Sequence, residues 1–138
     1  MTTASERRHL CDRLDDCELA RIGTAEELQI ASRGRDGSLS RARTIWVVPY
    51  GDDLYVRSVN GPAAAWFRGT QARHEGQIRA GGLDRDVAFE EADHGIDDQI
   101  DAAYRTKYHR YAKSITDAIT SRTARSTTIR LMPRANGS

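Results

Sequence analysis

Long apolar runs are missing from this chain of 138 residues. Nothing approaches the roughly 18 consecutive hydrophobic residues of a membrane-spanning helix, so no membrane association is expected. Met1–Arg8 is polar and no apolar run follows it, so no signal peptide is expected. Cysteine is scarce: Cys11 and Cys17 form neither a C-x-x-C redox pair nor a zinc spacing. With His9 nearby they remain loose candidates for a metal site. The plain expectation is a reduced, cytoplasmic protein in which Cys17 packs beside Leu10 and Leu14 on one helix face. An excess of charge of one sign is missing too. Against 20 acidic residues stand 21 basic ones, a formal net charge of +1. That balance argues against a broad polyanion-binding face and so against a nucleic-acid partner.

Familiar catalytic patterns are also absent. No G-x-G-x-x-G or P-loop supports a common nucleotide fold, and no G-x-S-x-G supports a hydrolase elbow. No H-x-H, H-E-x-x-H or EF-hand pattern supports a metal. His9, His74, His94 and His109 are scattered and read as surface residues. The acidic pairs Asp15-Asp16, Asp52-Asp53, Glu90-Glu91 and Asp97-Asp98 fall at turns and helix starts, where acids serve structure.

What is abundant is arginine. Only Lys107 and Lys113 are lysines, so 19 of the 21 basic residues are arginines. GC-rich coding explains most of them. A few are candidates for binding phosphate or carboxylate, which the planar guanidinium fork matches better than an ammonium.

The length suits one domain over 1–138, with an N-terminal helical segment within 1–22 and a barrel over 26–133 carrying two inserted helices. Glu26–Ser32 reads as a strand with Leu28 and Ile30 on one face. Arg33–Ser40 is a glycine-containing turn or loop. Arg43–Pro49 and Asp53–Val59 are β-branched and aromatic runs joined by Tyr50-Gly51-Asp52, which is hairpin chemistry. A two-residue turn at Gly51-Asp52 pairs Val48 with Tyr55, Val47 with Val56 and Ile45 with Ser58. It also sets Arg57 over the Trp46 ring, a contact of roughly 0.5–2 kcal/mol. Ala63–Arg73 follows as a helix opened by Asn60-Gly61-Pro62, with Ala63, Trp66, Phe67 and Thr70 inward. Gln77–Glu90 is a second hairpin turning at Gly81-Gly82. Asp97–Tyr111 is a helix with an acidic start and a basic end. Its stripe of Ile100, Tyr104, Tyr108 and Tyr111 suits a core or a subunit interface. Ser114–Ile119 extends the helical pattern, and Thr127–Met132 closes the sheet. About six strands and no β-α-β alternation predict a mainly β fold, a small, mainly antiparallel barrel with helices over its openings.

The most suggestive place is the strand–turn–helix unit Tyr55–Phe67. A helix start leaves amides without intrahelical partners and attracts anions. Gly61 permits close approach there, and Arg57 and Ser58 supply charge and a hydroxyl. Arg41, Arg43 and Thr44 belong to the neighbouring strand. The alternative is that Asn60 merely caps the helix and Arg57 is a solvated strand residue.

The run Thr44–Arg68, together with Ile78–Phe89, Ala103–Tyr108 and Thr127–Arg134, resembles a small family of uncharacterised bacterial proteins, a domain of unknown function. That family is similar to the split-barrel flavoproteins, among them the pyridoxamine-phosphate-oxidase-like proteins and the deazaflavin-dependent nitroreductases. The resemblance implies a six-stranded split barrel and a homodimer, with FMN or a deazaflavin (F420-type) at the subunit interface. It assigns the cofactor to Arg43, Thr44, Ile45 and Trp46 on one strand. Arg57, Ser58, Val59 and Gly61 follow on the next strand and turn, with Trp66 and Arg68 on the helix. Many flavin-binding relatives carry a Lys or Arg at the helix start, where this chain has Ala63-Ala64-Ala65. The implied activity is a flavin- or deazaflavin-dependent reductase acting on a small organic molecule. The residues alone leave two alternatives open: a non-catalytic small-molecule binding protein, or a cofactor-independent enzyme using the barrel cavity.

Overall fold

Short alternating runs separated by tight turns make one antiparallel sheet of seven strands in the computed structural model, which describes residues 16–34 and 36–133. A helix α1 (Asp16–Gly23) leads into β1 (Leu28–Ser32), β2 (Arg43–Ile45), β3 (Val48–Tyr50) and β4 (Asp53–Val56). A 3-10 turn (Gly61–Ala63) and helix α2 (Ala65–Arg73) precede the hairpin β5 (Glu75–Ala80) and β6 (Leu83–Glu91). Helices α3 (Asp97–Lys107), α4 (Lys113–Ile119) and α5 (Arg122–Arg125) come before β7 (Ile129–Pro133). The expected helical face of Leu10, Leu14 and Cys17 lies outside the residues whose side chains are described.

The sheet order is β2-β1-β5-β6-β7-β4-β3. Strands β2 and β3 therefore sit at opposite edges, yet only Trp46 and Val47 separate them in sequence. Each residue spans at most about 3.3–3.6 Å. The two edges must lie side by side, so the sheet is rolled into a barrel. This corrects the expectation that Arg43–Pro49 is one strand. It is two, broken at Trp46-Val47, and the strand count is seven rather than six. The antiparallel split-barrel class stands.

The expected register holds over part of its length. Val48 pairs with Tyr55 and Tyr50 with Asp53 around the Gly51-Asp52 turn. The pairs Val47–Val56, Ile45–Ser58 and Trp46–Arg57 do not form, because β2 leaves β4 to pair with β1 instead, Leu28 opposite Ile45. The Gly81-Gly82 hairpin forms as read, with both glycines at positive φ, 58° and 82°, as a two-residue turn of this hand requires.

The barrel interior holds Leu28, Ile30, Val47, Leu54, Val56, Ile78, Val87, Phe89, Ile129 and Leu131, with Ile22 and Phe67 supplied by α1 and α2. A second core lies outside the barrel wall, where Ile100, Tyr104 and Tyr108 cover Val48 and Tyr55. Strand β4 is consequently buried on both faces, and its residues Leu54, Tyr55 and Val56 show no polar alternation. Three smaller expectations need correction. Ala63 is exposed and lies in the 3-10 turn rather than the inner stripe of a helix. Helix α3 ends at Lys107, short of Tyr111. A further short helix, α5, stands before β7.

Candidate functional site

Where the barrel edges meet, a cleft of about 510 Å³ opens. Its lining begins with Arg43, Thr44 and Ile45 of β2 and continues through Trp46. Arg57, Ser58, Val59 and Asn60, beyond the end of β4, form the next side, and Trp66 of α2 and Ile115 and Ile119 of α4 complete it. Eight of the ten residues expected at a cofactor site thus meet at one place: Arg43, Thr44, Ile45, Trp46, Arg57, Ser58, Val59 and Trp66. The strand break at Trp46 lets β2 pair with β1 while β3 pairs with β4, and residues 43–46 and 57–60 line the same cleft.

Two expected residues lie elsewhere. Gly61 is buried at φ 75°, and a Cβ there would sit 2.2 Å from the Thr123 methyl. It is glycine so that α5 can pack, and it does not line the cleft. Arg68 is exposed on α2, also outside the cleft. The turn before α2 is partly closed to ligands as well, since the Gly61 amide donates to the Ser58 carbonyl, 2.9 Å. Asn60 makes no side-chain cap. Three lining residues were missed in the sequence-based site: Asn60, Ile115 and Ile119. The spacing of Ile115 and Ile119, one helical turn apart, was the available signal.

Arg57 is neither over Trp46 nor solvated. Its side chain is wholly buried. Nε donates to Thr128 Oγ1 at 2.8 Å, and Nη1 to Asp101 Oδ1 at 2.5 Å and to the Ile119 carbonyl at 3.2 Å. Nη2 donates to the Asp97 carbonyl, 3.2 Å. The guanidinium lies over Tyr104, 5.6 Å from its ring centroid. One arginine thus ties β4 to α3, to α4 and to the start of β7. A guanidinium with no exposure cannot meet a phosphate, so the cation that faces the cleft is Arg43, which has no ion-pair partner among the described residues. Ser58 is internal too: its hydroxyl donates to the Gly61 carbonyl and its amide to Thr127 Oγ1, both 2.8 Å.

Trp46 is held by aromatic contacts. It stacks on Tyr108 at 3.7 Å between centroids and 1° between planes, and tilts against Tyr111 at 5.1 Å. Burial raises the phenols of Tyr104 and Tyr108 above their ordinary range. The Tyr104 hydroxyl lacks a well-formed hydrogen bond, the Arg57 main chain approaching it outside normal geometry. Tyr108 donates to the carbonyls of Glu26 (2.9 Å) and Val47 (3.1 Å). Val59 and Ile115 stand 48% and 45% exposed at the cleft. A second groove is lined by Pro49 and Tyr50 of β3 and by Ala103 and Lys107 of α3, among others. There burial lowers the Lys107 ammonium to about 8 against the opposing pull of Glu26. No group of histidine, cysteine and carboxylate side chains among the described residues could hold a metal ion. No helix among them is long and apolar enough to cross a membrane.

Comparison with known structures places this fold. A protein assigned as a pyridoxamine 5'-phosphate oxidase, from Listeria innocua, superposes with a TM-score of 0.56 at 15% identity, covering 86% of this chain and 90% of that one. A FAD-binding protein from Mesorhizobium loti gives 0.53 at 16% identity, covering 87% and 88%. An F420 reductase gives 0.51 at 10% identity, covering 83% and 90%. At such identities the likeness is one of fold alone, an antiparallel split barrel. No curated protein matches the chain. The model of a bacterial family described as "Uncharacterized protein conserved in bacteria (DUF2255)" matches residues 18–131. With most of its length inside that match, the chain belongs to this family.

Proposed function

We propose that this protein binds FMN or a deazaflavin in the Trp46–Trp66 cleft and serves as a reductase for a small organic molecule. The carrying observation is the cleft itself. Its volume of about 510 Å³ falls within the roughly 300–1,000 Å³ of small-molecule sites, and its walls join aromatic and aliphatic side chains to the polar Arg43, Thr44 and Asn60. A flat tricyclic ring suits walls made of Trp46, Ile45 and Trp66. A phosphate suits Arg43, with Thr44 and Asn60 as hydrogen-bonding neighbours. The bound cofactor would supply the hydride chemistry. The residues of this chain would orient it, exclude water through Val59 and Ile115, and hold its charge. A second copy of the chain is the cover we propose for the exposed apolar rim, giving a homodimer with the site at its interface.

The test is titration of purified protein with FMN and with a deazaflavin, read by tryptophan fluorescence and ligand absorbance. Micromolar binding with quenching of Trp46 and Trp66 is expected. Absence of binding by either would refute the reading. Arg43→Ala should weaken FMN by about tenfold, the 1.4 kcal/mol scale of one charge-assisted contact, while leaving phosphate-free riboflavin unchanged. Equal loss for both ligands would refute Arg43 as the phosphate anchor.

A further inference from the structure

The aromatic cluster behind the cleft contains one tyrosine that differs chemically from its neighbours. Oxidising a tyrosine by one electron turns its phenol into a strong acid, so the electron leaves readily only where the proton has somewhere to go. Tyr104 offers no such route, because its buried hydroxyl lacks a well-formed hydrogen bond. Tyr108 donates to main-chain carbonyls of Glu26 and Val47, which accept a hydrogen bond but cannot keep a proton. Tyr111 alone of the three donates to a carboxylate, that of Glu26. Glu26 is bonded on its other oxygen by Arg110. The Tyr111 and Arg110 hydrogen bonds and the charge of Lys107 hold it below the usual carboxylate range, so at neutral pH it is ionised and able to take a proton. Arg110 also lies 5.2 Å from the Tyr111 ring centroid. That positive charge disfavours a cationic tyrosine radical and so couples electron loss to proton loss.

The same tyrosine touches the cleft wall. Its ring is 5.1 Å from Trp46, which lines the cleft and is stacked face to face on Tyr108. Of the two stacked rings the indole loses an electron more readily without shedding a proton, and Lys107, 5.0 Å from the Tyr108 centroid, disfavours a cation on the phenol, so Trp46 is the member that is oxidised.

We propose that Tyr111, with Glu26 as its proton acceptor, is a redox-active tyrosine that refills an electron vacancy created at Trp46 on the cleft wall. A one-electron oxidant in the cleft, such as an excited flavin or an oxygen-derived radical, removes one electron from the Trp46 ring. Tyr111 returns one electron to Trp46, and its phenolic proton passes to Glu26. The products are neutral Trp46, a neutral Tyr111 radical and a protonated Glu26. The relay does not depend on which cofactor occupies the cleft, or on whether one does.

The test therefore uses the protein without added cofactor. A photo-generated ruthenium(III) polypyridyl oxidises it in the presence of a nitroso spin trap. Trap adducts are mapped by peptide mass spectrometry, and radical formation is followed by transient absorbance. Among the clustered tyrosines the adduct is expected at Tyr111, and Tyr111→Phe should abolish it. Glu26→Gln keeps a hydrogen-bond acceptor but removes the base. It should slow tyrosyl formation by about 100-fold, the scale of one positioned general base, and make the rate proportional to added buffer base. Trp46→Phe should lower the yield at Tyr111. Adducts on Tyr108 or Tyr104 instead, or an unchanged rate in Glu26→Gln, would overturn the assignment. A Trp46→Phe yield equal to wild type would overturn the route through the cleft wall. Failure to bind FMN would leave each of these outcomes readable, so the two readings fail separately.

Discussion

Replacing Arg57 by methionine tests the central claim about the site, that this arginine builds the cleft without binding its contents. The side chain has no exposure and makes hydrogen bonds to Thr128, Asp101, Ile119 and Asp97. Removing one partner of a buried ion pair costs about 3–5 kcal/mol, because the other charge is left uncompensated. Here the lower end applies. Asp101 keeps the charge of Arg125, whose Nε is 3.3 Å away, and Asp97 keeps a hydrogen bond with His94 at 3.1 Å. Methionine also refills much of the aliphatic volume. A loss near 3 kcal/mol should lower the melting temperature by about 10 °C, at roughly 3–4 °C per kcal/mol for a chain of this size. Circular dichroism melts measure the shift. Titration well below the melt should show FMN and riboflavin affinities changing in parallel, since no phosphate contact is lost. A shift under about 3 °C would refute the structural role. A selective loss of FMN with riboflavin unchanged would refute the claim that the buried guanidinium is out of reach.

Other predictions follow from single contacts. Gly76→Ala places a Cβ 2.0 Å from the Ala31 carbonyl of the paired strand β1. Overpacking of this kind costs about 1–3 kcal/mol, and because main chain must move, the upper end is expected in urea unfolding. Lys107 carries a folded pKa of about 8, below its unfolded value of about 10.4. Between those values the unfolded chain binds more protons, so stability should rise with pH. Urea midpoints should increase from pH 7.5 to 9.5 and stay flat in Lys107→Met; a flat wild-type profile would show that Lys107 is not desolvated. Above roughly pH 10 the trend should reverse, because Tyr104 and Tyr108 hold their protons longer in the fold than in the unfolded chain.

Much of this protein was legible in the order of its residues. The hairpin at Gly81-Gly82, the register of Val48 on Tyr55, the inward stripe Ile100–Tyr104–Tyr108 and the antiparallel class all follow from local periodicity and turn chemistry. Most of the residues of the candidate cleft were legible too, through a family resemblance carried by Thr44–Arg68. Local pattern acts over a few residues, and in these places a few residues suffice.

Only the tertiary structure decided where the Arg43–Pro49 run breaks and what Arg57 does. Arg43–Pro49 is uniformly β-forming, so nothing local marks Trp46-Val47 as the corner. The break exists because barrel closure sends β2 to β1 and β3 to β4. Arg57 reads in sequence as a solvated strand residue or an anion ligand. Its true partners, Asp101, Ile119 and Thr128, are 44 to 71 residues away in the chain. Balanced composition and local pattern determined the kind of sheet. Which arginine is buried as a clamp and which faces the cleft was decided by contacts between distant segments, made when the curled sheet met its helices.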